Sequence, residues 1–102
     1  MLKMSNEMLI LVAARFRILG EPYRLRILQV LRQGAMTVGD LVEALEGNQP
    51  NIYRHLQILH QAGIVSRRRS GSHIIYSIKD PVVFSLCEFV HRNKRTGGDA
   101  AR

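Results

Sequence analysis

A chain of 102 residues with 46% hydrophobic and 23% charged content is one small globular domain, 1–102, whose modest core makes oligomerisation an early expectation. Fifteen Lys and Arg against eight Asp and Glu leave a formal charge of +7, which favours a nucleic acid or another anionic surface as partner. The single cysteine, Cys87, excludes an internal disulfide and any CxxC metal knuckle, and points to the cytoplasm rather than to secretion.

In chain order, the apolar run from Met8 to Ala14 is too short to span a bilayer. It continues into Arg15 and Arg17 rather than into a small-residue cleavage site, so neither membrane insertion nor export is expected. Leu9, Val12, Phe16 and Leu19 recur at helical spacing, while Met8, Ile10 and Leu11 cover the other side. A helix apolar nearly all round, in a chain this small, has one face for its own domain and one for a second copy. Homodimerisation is the expectation.

Gly20 closes this helix, and Glu21 with Pro22 opens a second, because proline is tolerated in a first turn where its missing amide hydrogen has no intrahelical role. Leu25, Ile27, Leu28 and Leu31 form a core-facing stripe, and Gly34 ends it. Thr37 followed by Asp40 has the form of a capping box with aspartate in place of glutamate. It starts a short helix whose apolar side is Val38, Leu41, Val42 and Leu45. A tight turn at Gly47 and Asn48 follows. Asn48 caps the next helix, which has Pro50 in its first turn, Ile52, Leu56 and Leu59 facing inward, and Gly63 as C-cap. Two short helices joined by a tight turn, the second polar on its outer face, read as a helix-turn-helix.

Two β-prone runs, Ile64 to Arg69 and Ile74 to Ile78, flank Ser70, Gly71 and Ser72 and predict a hairpin. A last helix is expected from around Asp80 and Pro81, with Val82, Val83, Leu86, Phe89 and Val90 apolar, fading at Gly97 and Gly98 into a flexible tail over 96–102. The predicted fold is mainly α with a small β-hairpin wing, a winged helix-turn-helix of about five helices and two antiparallel strands.

From Gly47 to Lys79 there is no Asp or Glu, while Arg54, Arg67, Arg68, Arg69 and Lys79 are all cationic. A stripe of cations interleaved with hydrogen-bonding side chains suits a phosphate backbone with readable base edges. Gln49, Asn51, Tyr53, Arg54 and Gln57 are expected on the exposed side near a helix N-terminus, where a recognition helix presents side chains to the major groove. Gln and Asn can pair bidentately with adenine, and Arg with guanine. Ser70, Gly71 and Ser72, with the neighbouring arginines, would reach the flanking backbone or minor groove as a wing. The plainer reading of Arg67 to Arg69 is a solvated strand edge. A metal reading is disfavoured because His55 and His60, five apart, do not share a helix face and no carboxylate or thiol lies nearby. His55 is expected at the helix packing surface with a satisfied hydrogen bond, and His73 as a polar residue close to the DNA.

The string LGEPYRLRILQVLRQGAMTVGDLVEALEGNQPNIYRHLQILHQAGIVSRRRSGSHIIYSI, Leu19 to Ile78, resembles the core of ArsR/SmtB-type bacterial transcriptional repressors over about 60 of the 102 residues. Its signatures are LG-x-P-x-RL-x-IL, TVGDL, QP-x-x-x-RHL, the L-x-x-AG-I-V junction and a glycine-tipped wing ending in IYSI. The resemblance implies an elongated homodimer with the first and last helices at the interface, placing Leu9, Val12, Phe16, Val83, Cys87 and Val90 there. It implies occupation of an operator and release by an inducer. It assigns DNA reading to Gln49, Pro50, Tyr53 and Arg54, with wing contacts around Arg68 to His73. Tyr53 departs from the family, in which a small residue, often serine, is usual.

The inducer is not inherited with the fold. Thr37 and Gly39 occupy the positions of one family Cys-x-Cys metal site, and Asp80, Val82, Asn93 and Thr96 those of another, where only the aspartate matches. A persulfide-sensing dithiol would need cysteines near Gln29 and Arg95. One metal-competent constellation remains, Cys87 and His91, four apart on one face of the last helix and able to meet their copies across a dimer axis. The reading preferred for Cys87 is a small buried thiol in an apolar stripe, with no metal and no cofactor. No Gly-rich phosphate loop, carboxylate cluster or activated nucleophile suggests an enzyme. The expected function is therefore a dimeric operator-binding repressor of duplex DNA with an unidentified inducer. The alternative is a winged helix used only for protein contacts.

Overall fold

Local side chains set the helix starts. The chain is seen in a computed structural model that describes residues 3–100, and the side-chain surroundings of 3–93. Ser5 caps α1 (Asn6–Leu19), Glu21 caps α2 (Pro22–Leu31), and Thr37 and Asp40 form the reciprocal capping box of α3 (Val38–Leu45). Asn48 caps α4 (Gln49–Gln61) by accepting from the Asn51 amide at 2.9 Å. Each cap satisfies a first-turn N–H that has no partner inside its helix.

The helix ends follow the same logic. Ala62 is the C-cap of α4, one residue before the expected glycine, and Gly63 follows at φ 76. Gly63 N–H donates to the His60 carbonyl and Ile64 N–H to that of Leu59, the paired bonds of a Schellman motif. α3 ends differently, on Glu46 at φ 51. Gly47 beside it is needed for space, since a Cβ there would run into the Tyr23 hydroxyl and the Ile52 side chain.

The expected hairpin is β2 (Val65–Ser70) and β3 (His73–Ile78), closed by Gly71 and Ser72 with Gly71 at φ 62. A third strand, β1 (Met36–Thr37), joins the other edge of β3, giving the antiparallel order β1-β3-β2. Two residues are too few for an alternation signal. They form a strand because Thr37, as N-cap of α3, already holds an extended backbone at φ −79, ψ 168. Asp80 Oδ1 then accepts from the Val82 amide at the start of α5 (Val82–Ala100).

The core joins Ile27, Leu28 and Leu31 of α2, Leu41 and Leu45 of α3, Ile52, Leu56 and Leu59 of α4, and Val65 and Tyr76 of the sheet. Leu25 departs from its expected place in this stripe and is 36% exposed. Val83 departs in the opposite sense: it is 7% exposed and packs in the subunit's own core, so it is not free for an interface. α5 approaches the end of α2 through Arg32, which stacks on the Phe84 ring at 4.6 Å. α5 also runs through Gly97 and Gly98 instead of fading there; helical glycine costs only about 1 kcal/mol each relative to alanine. The expected tail thus falls partly on helical backbone, 96–100, and partly, 101–102, outside the described residues.

Leu56, wholly inaccessible, gives the direct test of this core. Leu56→Ala is expected to cost about 2–5 kcal/mol of folding stability, read as a lowered urea midpoint with an unchanged slope.

Candidate nucleic-acid interface

Because Ile52, Leu56 and Leu59 fix which side of α4 is buried, the helical period fixes the opposite side as well. Gln49, Pro50, Tyr53 and Arg54 are exposed, with Tyr53 at 47%, and Asn51 and Gln57 are half-buried beside them. The first turn of α4 carries no acid, so no carboxylate offsets the positive end of its macrodipole. Gln49, Tyr53 and Arg54 thus lie on the outer side, while Asn51 and Gln57 are more covered than expected.

Side-chain bonds run within this surface. Arg54 Nη2 donates to Asn51 Oδ1, and Arg67 Nη1, from β2, donates to Gln57 Oε1 at 3.0 Å. Each amide oxygen accepts one of these bonds and keeps a second lone pair, and the NH2 groups of Asn51 and Gln57 remain donors. Both halves of a bidentate pair with adenine are therefore still offered.

The three wing arginines do not act as one block. β2 alternates, placing Arg67 opposite the buried Tyr76 and Arg69 opposite Ile74, on the side of the sheet from which Arg67 reaches α4. Arg68 lies opposite Ile75 on the other face. Ser70, Gly71, Ser72 and His73 are exposed at the tip.

Behind the surface lies the expected packing histidine. His55 is 6% exposed, the one buried polar residue among those described. Its Nδ1 accepts from Arg24 Nε at 3.1 Å, and its ring packs on Tyr23 with centroids 5.3 Å apart. Burial, foremost, and the charges of Arg24 and Arg54 hold its pKa below the ordinary 6.5, with Glu21 opposing. Arg24 was missed from sequence, because α2's apolar stripe gives no hint of an inward-reaching cation. The signal available was that a buried His55 needs a donor or acceptor close by.

Known proteins share this fold. Residues 21–67, from the start of α2 into the wing, match a family model described as bacterial regulatory protein, arsR family. The transcriptional repressor SdpR of Bacillus subtilis (strain 168) is 40% identical over 68 residues, 67% of this chain and 76% of SdpR. The chain belongs to the ArsR family. The crystal structure of Rv0081 from M. tuberculosis shares 31% identity at a TM-score of 0.80, covering 96% of this chain and all of that one. A solution structure of a homodimeric winged helix-turn-helix DNA-binding domain, Mb0332 from Mycobacterium bovis, shares 29% at 0.79, covering 91% and 92%.

Outside the matched segment, this ArsR-family chain exposes two apolar helix faces. No residue of α1 is buried. Leu9 and Phe16 are exposed, Val90 is 58% exposed, and Val12 and Cys87 are half-buried. An open groove of about 380 Å³ between α1, α2 and α5 is lined by Phe16, Leu19, Leu25, Val90, Cys87 and His91, so the last two do share one face.

At the family's metal positions, Thr37 Oγ1 accepts from the Asp40 amide, Asp80 caps α5, and Asn93 Nδ2 donates to the Phe89 carbonyl. Thr96 and Arg95 lie outside the described side chains. Among the described residues, no three His, Cys, Asp or Glu come together to hold a metal. No described helix is long and apolar enough to cross a membrane.

Neutral His55 links stability to pH. Its folded pKa lies below the unfolded value, so its contribution is fully present above pH 6.5 and is lost as pH falls from there through the lower folded value. Urea unfolding across that range is expected to show stability falling with acid in the wild type and a shallower fall in His55→Asn.

Proposed function

We propose that the chain is a cytoplasmic, homodimeric repressor that occupies a pseudo-palindromic duplex operator. The observation that carries this is a single acid-free surface joining the outer side of α4 to the wing. Gln49, Pro50, Asn51, Tyr53, Arg54 and Gln57 would enter the major groove. Arg67, Arg69 and the tip from Ser70 to His73 would meet the flanking backbone or minor groove, with Arg68 adding charge from the far face. Arg54 suits guanine O6 and N7, and Asn51 and Gln57 suit adenine.

The dimer is supported by the unburied apolar side of α1 and by Val90 on α5. The candidate interface keeps Leu9, Val12, Phe16, Cys87 and Val90 and loses Val83. The repressor name of SdpR and the homodimeric, DNA-binding description of Mb0332 point the same way.

Selection of duplexes from a random pool by the full chain tests the proposal. Enriched sequences are expected to hold two inverted half-sites about 10 bp apart, or a multiple of that, because two copies of α4 must meet one side of the DNA. Affinity should fall steeply and log-linearly with salt. Absence of enrichment, or a monomer at micromolar concentration, would sink it. A partner captured with flat salt dependence would favour the protein-contact alternative.

Two further outcomes are expected. Arg54→Ala should weaken the selected duplex by about 1–3 kcal/mol and relax one position per half-site, whereas Arg68→Ala should lower affinity for all sequences alike, both read by fluorescence anisotropy. Zinc, cadmium, cobalt and arsenite should leave binding unchanged in Cys87→Ser, since this is the one thiol in the chain and the family's ligand positions lack a thiol and imidazole.

A further inference from the structure

Arg24 sits on α2, yet its side chain ends on two other helices. Its Nε–H donates to His55 Nδ1 on α4, and its Nη1–H donates to the Ile18 carbonyl in the last turn of α1, both at 3.1 Å and both partly buried. The Ile18 carbonyl is one of the last four of α1, which have no partner within that helix, and a cation is favoured there by the macrodipole. One guanidinium thus closes the end of α1 and holds the back of α4. His55 directly follows Arg54, so the guanidinium holds α4 one residue away from a side chain of its outer surface.

We propose that Arg24 is a positioning residue for the DNA-facing helix: by bridging the end of α1 to a neutral His55, it sets the angle of α4 to the helix that carries the dimer face. The proposal rests on the DNA-binding reading above. A shift in this angle would be felt twice in a dimer, once at each half-site.

The bridge works in one protonation state. Arginine can only donate, so His55 Nδ1 must present a lone pair and the neutral ring keeps its proton on Nε2. A second proton removes the acceptor and sets imidazolium against guanidinium. The groups acting on the ring are Glu21, Tyr23 and Arg24 from the α2 side and Arg54 on α4 itself; α1 reaches it through the Ile18 carbonyl and Arg24. Simple electrostatics has the opposite consequence, since an added positive charge on a basic protein strengthens DNA binding. The sign of the pH dependence therefore separates the two.

Affinity of the full chain for a duplex selected by the wild type is measured from about pH 8 to about pH 5 at constant ionic strength, across the histidine range. The proteins are wild type, Arg24→Met, Arg24→Lys and His55→Asn. Asparagine keeps an amide oxygen near the position of Nδ1 without a titrating group, and the other histidines remain. The wild type is expected to lose about tenfold relative to His55→Asn as pH falls, the equivalent of one hydrogen bond to a charged group. Arg24→Met should show that deficit at every pH. Arg24→Lys should resemble Arg24→Met, because lysine keeps the charge but not the two-pronged fork. Should His55→Asn fail to fold, Arg24→Met becomes the reference for the acid drop.

Nitrogen chemical shifts of the His55 ring report the bridge without DNA, and an unprotonated Nδ1 with a protonated Nε2 is expected at neutral pH. A proton on Nδ1 overturns the bridge. Parallel pH profiles in wild type and the reference variant, or wild-type behaviour of Arg24→Lys, overturn the positioning role while the DNA reading stands. Failure of the wild type to bind any selected duplex at any pH overturns both.

Discussion

One side of α4 has to be dry. Ile52, Leu56 and Leu59 are wholly withdrawn from water, each worth about 1.5–3 kcal/mol of burial, and α2, α3 and the sheet are arranged around them. The same constraint makes the opposite side wet, since a helix 13 residues long cannot turn its apolar stripe inward without turning Gln49, Tyr53 and Arg54 outward. Stability and recognition are therefore two faces of one periodicity. A substitution that rotated α4 would damage both.

Much of the fold was legible because its signals are local. Caps announce themselves by residue type and spacing, as at Thr37 with Asp40 and at Asn48, and the stripes of α3 and α4 need only the helical period. The failures share a cause: they depend on which neighbour arrives from elsewhere in the chain. Leu25 is exposed and Val83 buried according to what packs against each, which no window around either residue contains. β1 escaped notice because its partner, β3, lies about 40 residues downstream, and two residues show no alternation of their own.

The candidate site divides the same way. The outward placing of Gln49, Tyr53 and Arg54 followed from the helical period, while Asn51 and Gln57 are more covered than expected. The chemistry of that surface did not follow, because it depends on pairings between elements. Arg67 reaches from β2 to Gln57 and takes up one lone pair of its amide oxygen. Arg24 reaches 31 positions along the chain to His55, and neither residue's type or neighbours name the other.

β1, small as it is, ties two parts of the molecule that the chain itself separates. Met36 pairs with Tyr76 and Thr37 with Ile75, and Thr37 is at once the last residue of that strand and the cap of α3. The hairpin is therefore pinned to the start of the helix-turn-helix at one edge, while Arg67 pins it to α4 at the other. A wing held on both sides behaves as the second arm of a fixed caliper rather than as a trailing flap. The distance between the outer side of α4 and the tip is set within the subunit, so the pair of surfaces is more easily altered by changing side chains along the two arms than by changing the span between them.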